Sequence, residues 1–109
     1  MKKNVDFSIF VGPQGSYGVV TGMLDVPVGL KEGDIFLIPS GVYGNAFPAF
    51  EGFDGRLKVE KLVSGAGLGI EDAIMLEDVV LCSREDAERL AHYLESELDL
   101  FVMHNMDFT

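Results

Sequence analysis

The stretch Gly18-Val19-Val20-Thr21-Gly22-Met23-Leu24-Asp25-Val26-Pro27-Val28-Gly29-Leu30-Lys31-Glu32-Gly33-Asp34-Ile35-Phe36-Leu37-Ile38 constrains the fold more than any other part of the chain. Its first half is rich in β-branched residues, which pack well on a pleated surface and crowd a helix. Pro27 and Gly29 then break the run. A second turn at residues 31–34 needs glycine at Gly33 for a positive φ, and an apolar strand follows over 35–38. Two strands joined by turns do not bury both their faces alone. The chain is therefore expected to be mainly β, a small β-barrel or roll.

The rest of the chain adds strands and one helix. Val5, Phe7, Ile9 and Val11 alternate along residues 5–11 and face one way, the pattern of a half-buried strand. Residues 12–16 break it with two glycines and a proline. Over 17–26, Val19, Thr21 and Met23 share one face and Val20, Gly22 and Leu24 the other. Residues 57–63 and 77–82 are further strand candidates, and residues 70–76 read as one or two helical turns or as loop. Residues 39–55 hold Tyr43, Phe47, Phe50 and Phe53 among glycines and prolines, and an irregular hairpin is expected near 42–50. Ser83 has the chemistry of an N-cap, with Glu85 and Asp86 in the first turn, where the helix dipole favours negative charge. Ala87, Leu90, Ala91, Leu94 and Leu98 then make one apolar stripe, which predicts a helix over 84–98. Residues 100–103 are a last strand, open to pairing in the chain's own sheet or with a second copy, and 105–109 read as a frayed tail. One domain over 1–109 is expected, with the barrel spanning about 5–82.

Phe7-Ser8-Ile9, Gly18-Val19-Val20-Thr21-Gly22 and Leu30-Lys31-Glu32-Gly33-Asp34, in this order, resemble the second domain of translational GTPases such as elongation factor Tu. That domain carries an F-x-I strand, a G-x-V-V-T-G strand and an L-K-x-G-D turn. The resemblance covers the first third of the chain, about residues 5–38, and implies a translation-factor-type barrel. It departs from the pattern between Ile9 and Val19, at Pro27 and Val28, and in the C-terminal helix. With no P-loop in the chain, it bears on fold more than on activity.

Composition narrows the partners. The formal charge is −10 in 109 residues, so phosphate backbones and anionic lipid surfaces are repelled and a basic partner fits better. Hydrophobic residues make up 48% of the chain, enough for one core, so disorder is not expected. No run approaches the roughly 20 apolar residues of a spanning helix. Asp6 interrupts the apolar run after Met1-Lys2-Lys3, which makes a poor signal peptide. The single Cys82 suits a reducing compartment, and a cytoplasmic location is expected.

Chemistry-bearing groups are sparse. Gly65, Gly67 and Gly69 resemble a dinucleotide-binding turn, but the third glycine comes one residue early, so a flexible turn is the plainer reading. His92 and His104 are the only imidazoles, and neither stands at zinc-ligand spacing with Glu88 or Asp107. Cys82 precedes a helix N-terminus, where a thiol can be activated, yet no histidine stands at a pairing distance in sequence. No catalytic residue, metal site or cofactor is assigned. Glu85, Glu88 and Glu95, with Asp86, Glu97 and Asp99, read as a solvated helix face or as an acidic docking surface. Tyr43, Phe47, Phe50 and Phe53 either cap the core or form an aromatic contact patch. The expected function is a non-enzymatic acidic protein-interaction or regulatory module. A small-molecule or nucleotide-binding domain and a ribosome- or RNA-associated accessory protein are the alternatives.

Overall fold

The computed structural model describes residues 2–13, 15–39, 47–48, 50–63 and 73–104. Seven strands and one helix follow in the order β1 (Lys2–Val11), β2 (Gly15–Asp25), β3 (Ile35–Leu37), β4 (Arg56–Val63), β5 (Ala73–Leu76), β6 (Val79–Leu81), α1 (Arg84–Glu97) and β7 (Phe101–His104). β1 lies at the centre. It pairs antiparallel with β2 along its length, and on its other side parallel with β5 near its start and β6 near its end. The strand order is β3-β4-β5-β1-β2-β7, with β6 also on β1.

This order corrects the expected barrel. Among the described residues β3 pairs only with β4 and β7 only with β2, so the sheet is open and its two ends do not meet. The fold is mainly β with one C-terminal helix, and the likeness to the translation-factor second domain does not extend to its architecture. The reason lies in how the core is closed. A barrel buries its inner face by curling the sheet on itself, whereas here α1 is the second layer. Val5, Phe7, Ile9 and Val11 of β1, with Val20, Leu57, Val59, Ile74, Val79 and Val102, form one buried core with the helix stripe of Ala87, Leu90, Ala91, Leu94 and Leu98. Burying a leucine such as Leu90 or Leu94 contributes about 1.5–3 kcal/mol.

Gly18 and Gly22 make room for a neighbouring segment in this open sheet. A Cβ on Gly18 would stand 2.6 Å from the Met103 carbonyl oxygen, and one on Gly22 2.7 Å from Leu100 Cδ2. They let the chain around β7 close onto β2. Gly33 has the positive φ expected of its turn, +90°.

Local expectations fare better than the global one. Ser83 caps the helix, its Oγ accepting the Asp86 N–H at 3.2 Å. The helix ends one residue before the expected boundary. Asp99, with φ of +56°, then turns the chain so that the Leu100 N–H donates to the Leu94 carbonyl at 3.0 Å. Residues 73–76, read as helical turns or loop, form strand β5 instead, because Ile74 and Leu76 fill the covered face between β1 and β4. The hairpin expected near 42–50 and the tail 105–109 lie outside the described residues, apart from 47, 48 and 50; there a bridge joins Phe50 and Phe53. Among the described residues no helix is long and apolar enough to cross a membrane.

The face of the sheet opposite α1 has no covering layer among the described residues. Asp6 stands at its centre, between Thr21 of β2 and Met75 of β5. Partial burial raises its pKa above the ordinary carboxylate value of 3.8. The folded chain therefore holds a proton that the unfolded chain has lost, and stability falls as pH rises from 3.8 through the raised value. Asp6→Asn is expected to raise Tm by about 1–3 °C at neutral pH. The gain should fade as thermal unfolding is followed to pH values well below 3.8, where both states become protonated. A gain that persists there would mean that burial of the charge is not its source.

Candidate functional site

The aromatic residues near the middle of the chain gather at one side of the helix. Tyr93, outside the apolar stripe read from the sequence, is buried, and its hydroxyl donates to the Pro39 carbonyl at 2.9 Å. Phe47 meets the Tyr93 ring edge to face at 5.3 Å and approaches Phe50 and Phe53 at 5.7 and 5.9 Å. All three phenylalanines are partly buried against the core. Arg89 of α1 lays its guanidinium 4.9 Å from the Phe50 ring centre, a cation–π contact. Tyr43 lies outside the described residues.

Phe50 and Phe53 also wall an open groove of about 540 Å³, which runs to the ends of β4 and β6. Asp54, Glu77 and Asp78 line it, against one cation, Arg56. Arg56 already has a partner, since its Nε lies 3.7 Å from Asp54 Oδ2. Asp54 also accepts the Arg56 backbone N–H through Oδ1 at 3.1 Å, and Glu77 Oε1 accepts the Lys58 N–H at 2.9 Å. Two of the three carboxylates thus hold the loop and strand in place. Two aromatic side chains in an otherwise polar, carboxylate-lined groove suit a cationic, partly apolar group such as a lysine or arginine side chain.

The acidic helix face is less available than its composition suggests. Arg84 pairs with Glu88 at 3.2 Å and Arg89 with Asp86 at 3.1 Å, while Glu85 and Glu95 are exposed. Glu97, expected among the solvated acids, is instead buried. Burial, with the nearby Glu88 and Glu95 carboxylates, raises the pKa of Tyr17 against the opposing charge of Arg84. The Tyr17 ring packs edge on against His104 at 5.0 Å.

Among the described residues, the remaining candidates do not come together in a site. Gly65, Gly67 and Gly69 lie outside the described residues, as does Asp107. Cys82 is exposed, its thiol 3.6 Å from the Glu51 carbonyl oxygen. Among the described residues no three His, Cys, Asp or Glu side chains form a metal-binding group. Sequence reasoning found Phe50 and Phe53 but missed Asp54, Glu77 and Asp78. Lone acids at turns carry no periodic signal, and they meet only because β4 and β6 begin beside the Phe50–Phe53 bridge. No family model matches the chain, and comparison with curated proteins and with solved structures found no match.

Proposed function

We propose that the chain is a non-enzymatic, acidic protein-interaction module, and that a basic side chain of its partner seats in the groove between Phe50, Phe53, Asp54, Glu77 and Asp78. The observation that supports this most is the imbalance of the groove: three carboxylates line it against a single cation, which already stands beside one of them. The charge of −10 acts in the same direction over longer range, steering a basic partner in and phosphate backbones away. The non-enzymatic part rests on the sequence, where neither histidine nor Cys82 stands at catalytic spacing. The lone cysteine supports a cytoplasmic setting. The ribosome- or RNA-associated reading loses the barrel resemblance on which it leaned.

Titrating the isotope-labelled chain with a short lysine- and arginine-rich peptide tests the proposal by NMR. The largest shifts are expected at Gly52, Phe53, Asp54 and residues 77–80, with affinity falling as salt rises. Asp78→Asn is the cleanest variant, because Asp54 and Glu77 also hold backbone amides. It should weaken binding by about 2–5-fold, the worth of an exposed charge. Shifts centred on Glu85 and Glu95 would move the docking surface to the helix and sink the groove. No saturable binding at all would sink the basic-partner module.

A further inference from the structure

Charge alone lets either kind of basic side chain into the groove beside Phe50 and Phe53, but a contact within the chain tells the two apart. Arg89 holds its guanidinium 4.9 Å from the Phe50 ring centre, and the same group donates through Nη1 to Asp86 Oδ1 at 3.1 Å. One guanidinium thus meets a phenyl ring and a carboxylate together. Its planar shape allows this, because the weakly hydrated face can lie on a ring while the N–H donors at the edge reach an acceptor. A lysine ammonium has no such division. It is a compact, strongly hydrated charge.

The groove offers the same two parts. The Phe50 and Phe53 rings, centres 6.4 Å apart and tilted by 39°, line it together with Asp78. Phe50 already carries Arg89, which makes Phe53 the ring for a partner. Asp54 and Glu77 accept the backbone amides of Arg56 and Lys58, and Asp54 also stands beside the Arg56 guanidinium. Asp78 is exposed and is the carboxylate for an incoming donor.

We propose that the group this groove selects is an arginine of the partner rather than a lysine, its guanidinium lying on the Phe53 ring and donating from its edge to Asp78. The inference rests on the groove being the docking site. Net charge does not make the selection, since the −10 of the chain steers lysine and arginine alike. Hydration does. In an open groove an ammonium keeps most of its water and gains little from a ring, whereas a guanidinium gives up less on stacking.

Three short peptides, identical but for one central arginine, lysine or asymmetrically dimethylated arginine, test this by NMR titration of the full chain. All carry the same charge, so one salt dependence is expected for the three. The arginine peptide should bind about 2–5-fold more tightly than the lysine peptide. Dimethylation keeps the charge but blocks bidentate hydrogen bonding at the edge, and should bring affinity down to about the lysine level. Phe53→Leu should erase the preference by weakening the arginine peptide alone, and Phe53→Tyr, which keeps a ring, should retain it. Should Phe53→Leu fail to fold, the dimethylated peptide decides without any variant. Equal affinity for arginine and lysine, full affinity after dimethylation, or a preference that survives Phe53→Leu would overturn the inference and leave the basic-partner groove standing. Shifts that avoid residues 52–54 and 77–80 with every peptide would overturn the groove itself, and the inference with it.

Discussion

Replacing Leu94 with alanine lowers the free energy of unfolding by about 2–5 kcal/mol, a loss that only the equally buried Leu90 in the same stripe should match. The side chain is fully buried and sits in the stripe of α1 that covers the sheet. Its carbonyl accepts the N–H groups of Leu98 and Leu100 at 3.3 and 3.0 Å, bonds that alanine keeps. The loss therefore measures the apolar contact between helix and sheet rather than the helix end. Glu95→Ala, one residue on and exposed, should change stability by no more than about 0.5 kcal/mol. Denaturant titration of both variants checks this. If Leu94→Ala cost less than about 1 kcal/mol, the helix would not be the layer that closes the core.

Gly18→Ala is expected to cost about 1–3 kcal/mol, through crowding rather than a cavity. The added methyl would lie 2.6 Å from the Met103 carbonyl oxygen and 3.3 Å from His104 Cα, both backbone atoms that cannot rotate aside. β2 and β7 must separate at that point. The damage should be local first: in hydrogen exchange, the amides of residues 101–104 should lose protection well before those of β1, which is held from both sides. Gly12→Ala is the control, since its nearest neighbour would be the Leu81 carbonyl oxygen at 3.9 Å. Equal protection of β7 in the Gly18 variant and the parent would show that the two strands do not approach this closely.

These two sites show what could be read before any coordinates. The alternation of Val5, Phe7, Ile9 and Val11 and the stripe through Leu90 and Leu94 follow from residue spacing alone, since a strand repeats every two residues and a helix every 3.6. Ser83 announced its own cap. Gly18 and Gly22 marked positions of close approach, but a glycine does not say what comes close, and the motif around them suggested a barrel neighbour that is absent. The aromatic cluster was legible as composition. Its packing on Tyr93 was not, because Tyr93 lies outside the apolar stripe and is buried only where residues from the middle of the chain reach the helix.

Sequence by itself determined the local elements: which residues of β1 extend, where the helix starts, and which face of each is apolar. Only the tertiary structure decided that the sheet stays open among the described residues, that residues 73–76 form a strand, that Asp54, Glu77 and Asp78 share a groove, and that Phe101 and Met103 are exposed. Periodicity is a property of neighbours along the chain and survives in any fold. Strand order, by contrast, is set by competition among distant pairings, and here a helix laid across one face removed the need for the sheet to close.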